Sequence, residues 1–297
     1  MTKNKIYILM VCSALFWAGA FIAGKYTVPY ISTFTLTFLR FFYATIILFF
    51  VMKQMKVDFK LEKDKLPVYL FTGAVGMFGY HVLFFTALKY TTAINSSIIA
   101  ATNPMVTTLL AYLFLRNKLR GKQIFGILLS FLGVILTITG VNLDVLCQFK
   151  FNAGDIWMLA AVTAWAVYGV FSKSKGAGIQ PIVLTYYSFL VCTIMLIPFV
   201  LYEKPWEYLS SVPFSAHLAV LYMSIFPSVI GYLVQQMAIK EIGPSKASIF
   251  VNLVPVFSII LAVLILGETL EPVKLLTAVL IIAGVYICQH SQTPEKE

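Results

Sequence analysis

The chain carries one pattern twice, and the repeating unit holds an odd number of apolar runs. FWAGAFIAGK around Trp17 aligns without gaps on AWAVYGVFSK around Trp165, a spacing of 148 residues. Leu36-Thr37 and Phe41 meet Leu184-Thr185 and Phe189 in the same register. The later part of the unit returns at spacings of 152 and 151. There Gly79-Tyr80 meets Gly231-Tyr232, Pro104 meets Pro255 and Gly133 meets Gly284. A unit that crosses a bilayer an odd number of times must re-enter from the opposite side, so its second copy is inverted. Inverted repeats place substrate sites near the midplane between the halves and switch access by rocking. The pattern predicts a transporter.

Composition fits a membrane protein: 60% of residues are hydrophobic and 11% charged, well away from soluble proteins. Ten apolar runs can cross ~30 Å of hydrocarbon at 1.5 Å per residue. They lie at roughly 6–23, 34–52, 67–88, 94–115, 122–141, 155–173, 182–202, 214–238, 244–266 and 272–289. The expected fold is therefore an all-α integral membrane protein of ten transmembrane helices, built as two inverted five-helix repeats. The repeats are read as 1–141 and 154–290, with 291–297 as a short tail.

The net charge of +10 is distributed as a membrane demands, not as nucleic acid would. With the N-terminus inside, the inner segments hold sixteen Lys and Arg residues and the outer loops five: Lys25, Lys89, Lys150, Lys204 and Lys274. That positive-inside bias predicts a multi-pass protein of the cytoplasmic membrane with both termini cytoplasmic. Its expected partners are the lipid bilayer and a small-molecule substrate, with no nucleic acid; it is read as a monomer or a homodimer. The first run imitates a signal peptide, with Lys3 and Lys5 before it and Ala18-Gly19-Ala20 within it. Its recurrence in the sixth run, where Ala166-Val167-Tyr168 stands at the equivalent position, argues against cleavage. Cys12, Cys147, Cys192 and Cys288 form no CxxC, and of the four Cys147 alone reaches an outer loop.

Polar residues within spans are costly and usually face protein or a water-filled cavity. In the eighth span Ser224, Ser228, Tyr232 and Gln235 form one helical stripe, matched in the third by Thr72, Gly76, Tyr80 and Leu83. The sixth span offers Trp165, Tyr168 and Ser172; the fourth and ninth offer Asn103, Ser248 and Asn252. Single residues of this kind serve equally for helix–helix hydrogen bonding, but stripes repeated in both halves favour a cavity. Trp17 and Trp165 lie mid-span at equivalent positions, where each indole N–H needs a partner from protein or ligand. The expected substrate-binding residues are Trp17, Tyr80, His81, Asn103, Trp165, Tyr168, Tyr232, Gln235 and Asn252. Pro104 and Pro255 break equivalent helices, as hinges or as fixed kinks. His81 is the one span-centre group titrating near neutrality, either a proton carrier or a bonded structural histidine. Arg40 lies below the outer end of its span, close enough to snorkel outward, and is read as a structural residue or a weak attractor of anionic groups.

All twelve acidic residues lie in loops or at span ends, which argues against organic cations as cargo. No Walker A sequence, HExxH or GxSxG occurs, and no nucleophile–base–acid set converges in the spans. No catalytic residue, cofactor or metal is expected, and the chain is not read as an enzyme.

Over about 6–289 the chain resembles an EamA-type protein of the drug/metabolite transporter superfamily with two copies of the domain. The resemblance rests on FWAGAFIAGK at 16–25, LTFLRFFYA at 36–44, ALKYTTA at 87–93 and NPMVTTLLAYLFL at 103–115. In the second copy it rests on GDIWMLAAVTAWAVYGV at 154–170, VPVFSIILAVLILGETL at 254–270 and the late Gly284. It implies ten spans, cytoplasmic termini and export or exchange of small metabolites, amino acids among them. Copy one departs from the pattern, with Arg116-Asn117 where copy two has Gly267-Glu268. The expected activity is secondary export of small amphipathic metabolites, such as neutral or zwitterionic amino acids. The alternatives are a broad-specificity multidrug exporter and a non-transporting membrane sensor or scaffold.

Overall fold

A computed structural model of the chain describes residues 3–58, 60–115, 120–142, 151–176, 178–242, 247 and 250–290. The described residues are mainly helical and contain no strand. The principal elements are α1 (Lys3–Thr27), α2 (Thr33–Gln54), α3 (Lys63–Tyr90), α4 (Ala93–Phe114) and α5 (Gly121–Thr139). In the second half they are α6 (Ala153–Lys175), α7 (Pro181–Glu203), α8 (Phe214–Gln235), α9 (Leu253–Leu266) and α10 (Pro272–His290). Among the described residues nine helices are long and apolar enough to cross a membrane, and α9 is a shorter apolar helix.

Local chemistry sets the boundaries. Thr92 and Asn152 cap α4 and α6 with their side chains, accepting from Asn95 N and Gly154 N. Pro181 opens α7, where its missing N–H costs nothing. Gly140 (φ 59°) and Gly267 (φ 66°) end α5 and α9 in the left-handed conformation. α4 is interrupted by a turn at Ala101-Thr102 and restarts at Asn103, immediately before Pro104. α9 likewise begins after a turn residue at Asn252, two residues ahead of Pro255. The backbone thus breaks just ahead of both sequence-equivalent prolines, each of which lacks an amide donor.

Packing follows the repeat. α1 lies against α8 and α9, and α6 lies against α3 and α4; α2 meets α7 and α8, and α7 meets α2 and α3. α4 pairs with α9 and α5 with α10. Each contact has a counterpart on exchanging the halves, which defines a pseudo-two-fold arrangement. Phe41 and Phe189, equivalent in sequence, touch with ring centroids 4.9 Å apart, so the axis runs between them. Small residues bring α5 and α10 together: a Cβ on Gly126 would stand 2.5 Å from the Gly284 carbonyl oxygen.

One feature lies outside helical periodicity. Thr72–Gly79 in α3 and Ser224–Ile230 in α8 are π-helical, and the two segments begin at equivalent positions. π segments widen a helix, expose carbonyls and recur at functional sites. In α8 the cause is visible. Pro227 has no N–H for the Met223 carbonyl, and the Ser228 hydroxyl donates to that oxygen instead, at 2.9 Å.

Candidate substrate site

Trp165 is the centre of a group of rings drawn from both halves. Its centroid lies 4.8 Å from Tyr80, 4.9 Å from Tyr168 and 6.3 Å from Tyr232, distances typical of favourable aromatic pairs. Tyr232 sits edge-on to Phe189 at 5.7 Å, and Tyr80 stacks with Phe84 at 5.8 Å. Gly76, within the first π segment, leaves the space that the Tyr168 ring fills; a methyl group there would overlap it. All four hydroxyl- and indole-bearing rings are half-buried. Beside them, between Ser228 and Tyr232, a void of about 10 Å³ remains, marginal for one water.

His81 is buried beneath this group. Its Nδ1 lies 2.9 Å from the Met77 carbonyl, and its ring meets Phe41 and Tyr80 edge-on, each at 4.6 Å. Gln235 lies three residues beyond Tyr232 and is half-buried. Asn103 accepts a hydrogen bond from the Thr107 hydroxyl (2.8 Å), and Asn252 donates from Nδ2 to Gln289 Oε1 of α10 (3.2 Å). Ser248, Cys147, the Arg116-Asn117 pair and the tail 291–297 lie outside the described residues, as does the Lys173 side chain.

The two equivalent tryptophans have parted ways. The Trp17 indole donates to the Pro227 carbonyl at 3.1 Å, an oxygen in the π segment of α8. A Cβ on Gly231 would stand 2.7 Å from Trp17 Nε1, so the close seat requires glycine. Trp17 therefore ties the halves together and makes no ring contact with the Trp165 group among the described residues. Trp17→Phe removes this bond and part of the indole's packing, and is expected to cost at least about 1 kcal/mol of stability, read as a lower melting temperature in detergent.

Arg40 corrects the sequence-based expectation. It does not snorkel outward: the side chain is 4% exposed. Its Nε donates to Ser228 Oγ at 3.0 Å, and its guanidinium carbon lies 5.6 Å from the Phe41 centroid and 5.9 Å from Phe85. α2 packs directly on the π segment of α8, so the arginine meets protein before it can reach an interface. Tyr232, Tyr80 and Tyr222 lie within its electrostatic reach. No carboxylate among the described residues forms an ion pair with it. A lone cation at such depth costs ~2.5–3.5 kcal/mol on insertion scales. The polar stripe of α8 marks Ser228 in the sequence, but not its partner Arg40 on α2. The available signal was that Arg40 is the one basic residue well inside a span.

At the end of the bundle bearing Thr27, Thr91 and Glu203, charged groups join the halves. The Glu203 carboxylate accepts from Thr35 N and Thr35 Oγ1, each at 2.7 Å. Glu268 accepts from Ala93 N at 2.7 Å and Ile94 N at 3.0 Å. Asp155 accepts from the Thr91 hydroxyl at 2.6 Å. Within the first half, Lys25 donates to the Leu88 and Thr91 carbonyls at 2.8 and 2.6 Å. Acids at helix starts and a lysine at a helix end complement the helix dipoles.

The model of the EamA-like transporter family matches residues 4–139 and again 152–288. The chain belongs to the EamA-like transporter family. An uncharacterized transporter of Bacillus subtilis, YyaM, is 33% identical over 286 residues, covering 96% of this chain and 93% of the relative. An uncharacterized transporter of Archaeoglobus fulgidus is 30% identical, covering 98% and 99%. A probable terminal-alkyne amino-acid exporter of Streptantibioticus cattleyicolor is 25% identical, covering 97% and 94%. A solved crystal structure matches with a TM-score of 0.67 at 20% identity, covering 97% of this chain and 98% of that one; it supports the fold alone. This EamA protein is thus a multi-pass membrane transporter with two family repeats.

A larger cavity of about 510 Å³ opens beside α1, α8 and α9, lined by Leu15, Phe16, Gly19, Tyr26, Tyr222 and Leu266 among others. Its lining is nearly all apolar, and the Tyr222 hydroxyl is already bonded to the Phe16 carbonyl at 3.1 Å. It lacks groups to orient a polar cargo, so the ring cluster is the better candidate site.

Proposed function

We propose that this EamA transporter exports small amphipathic metabolites, neutral or zwitterionic amino acids or related compounds, across the cytoplasmic membrane by alternating access. In this reading each of the ten elements crosses once, the halves are 1–141 and 154–290, and the second is inverted. Both termini face the cytoplasm, as the charge bias favours. The observation that carries the reading is the Trp165 ring group, assembled from α3, α6 and α8 across the repeat interface. Rings supply stacking surface for an apolar body, while Gln235 and Asn252 orient polar groups. Trp17, His81 and Asn103 shape the surrounding wall. The breaks at Pro104 and Pro255 act as hinges, and α1–α5 rock against α6–α10 to open the rings to one side at a time. The name of the Streptantibioticus cattleyicolor relative, an amino-acid exporter, lends support to this cargo class.

The test is flux. Liposomes holding the purified protein and loaded with labelled aromatic and aliphatic amino acids should release at least one of them faster than protein-free liposomes loaded alike. Trp165→Ala should slow that release about tenfold or more, the loss of one stacked aromatic contact with its burial. Tight binding without flux would instead mark a sensor.

A further inference from the structure

The buried charge of Arg40 has no counterpart in the other repeat. Arg40 of α2 and Ser188 of α7 occupy equivalent positions, flanking the contact between Phe41 and Phe189 on the pseudo-two-fold axis. Ser188 ties α7 to α3 with a neutral hydrogen bond, its hydroxyl 2.7 Å from that of Thr72. Arg40 ties α2 to α8 through Nε and Ser228. A serine makes one such tie and an arginine the other, so helix packing alone does not call for a guanidinium.

A guanidinium presents five N–H donors. Nε is used by Ser228, and no acceptor among the described residues takes the remaining four. The Ser228 hydroxyl is itself committed, donating to the Met223 carbonyl, so it fixes the plane of the guanidinium from one side only. Phe41 and Phe85 flank the group, and its partner Ser228 lies one helical turn before Tyr232 of the ring cluster on α8. Planar, paired donors of this kind match a carboxylate in a bidentate geometry.

We infer that Arg40 is the anion-binding group of the transport site. The cargo carries a carboxylate that pairs with the two terminal nitrogens, while its apolar body lies against Tyr80, Trp165 and Tyr232. Amino acids bind through their carboxylate end, and amines without one are rejected by the unpaired positive charge. The asymmetry of the repeats then serves recognition: one end of the cargo meets a cation, the other meets only rings and neutral groups. This deepens the export reading above and rests on the same site.

The experiment is a binding series of one shape and varied charge, measured by thermal shift and by titration on the purified full-length protein: indole-3-propionate, tryptophan, tryptamine and indole. The two carboxylates should raise the melting temperature, and tryptamine should not. Arg40→Gln should weaken both acids by about tenfold to a hundredfold, the scale of a charge-assisted pair, while leaving indole unaffected; Arg40→Lys should recover part of the loss. Should Arg40→Gln fail to fold, the wild-type comparison of indole-3-propionate with its uncharged amide decides, the amide binding at least tenfold more weakly. Equal response to acid and amine, unchanged acid binding in Arg40→Gln, or no response to either acid overturns the inference. Flux of neutral or cationic compounds without acid binding would sink this inference and leave transport standing. Acid binding without flux would do the reverse.

Discussion

Gly284→Ala will destabilise the protein by about 2–3 kcal/mol, the upper range for overpacking a close contact. A Cβ at Gly284 would meet the Gly126 carbonyl oxygen at 2.6 Å and the Ser130 amide at 2.7 Å. Both atoms belong to the backbone of α5, which cannot move aside as a side-chain tip can. Ser130 also donates to the Ile281 carbonyl at 3.2 Å, and separating the helices would break that bond. Gly121 supplies the control, because a Cβ there meets nothing within 4 Å. Gly121→Ala should melt at or slightly above the parent temperature, in line with helix propensity. If the two substitutions behave alike in detergent unfolding, α5 and α10 are not packed backbone to backbone.

Glu268→Ala comes second in size, with an expected loss of about 2 kcal/mol. Its carboxylate satisfies two amides, Ala93 N and Ile94 N, in the first turn of α4, where no intrahelical acceptor exists. Each charge-assisted bond is worth about 1.5–3 kcal/mol when buried; Glu268 is half-buried, so solvent recovers part of the sum. Glu268→Gln keeps an oxygen acceptor and should fall between parent and alanine. A functional effect should accompany the loss. The bond spans the two halves and joins the end of α9 to the start of α4, so losing it should favour opening at that end. Faster amide exchange at residues 93–96 in the alanine variant would register this; unchanged exchange would mean that Glu268 does not hold the halves together.

The sequence carried much of this architecture because repetition is visible without coordinates. The spacing of Trp17 and Trp165, and the matching of Pro104 with Pro255, anticipated the paired packing and the helix breaks. What it could not carry depends on neighbours. Snorkelling was a fair expectation for Arg40, since the length of its side chain permits it; only the packing of α2 on α8 forbids it. Trp17 and Trp165 are the same residue in the same register, yet Pro227 offers one of them a carbonyl and the other turns to Tyr80 and Tyr168. The π segments escaped because a stripe such as Ser224, Ser228, Tyr232 and Gln235 is read at helical spacing. An inserted residue alters which face follows, and Pro227 was the clue within the sequence.

Rocking about the ring cluster requires halves that enter the bilayer in opposite senses. Paired reporter fusions, one read out only in the cytoplasm and one only outside it, placed after residues 56, 142 and 290, measure this directly. The antiparallel arrangement predicts cytoplasmic signal at 56 and 290 and external signal at 142. Signal from 56 and 142 on one face would mean that the first half crosses an even number of times, leaving no inverted pair and no passage between them.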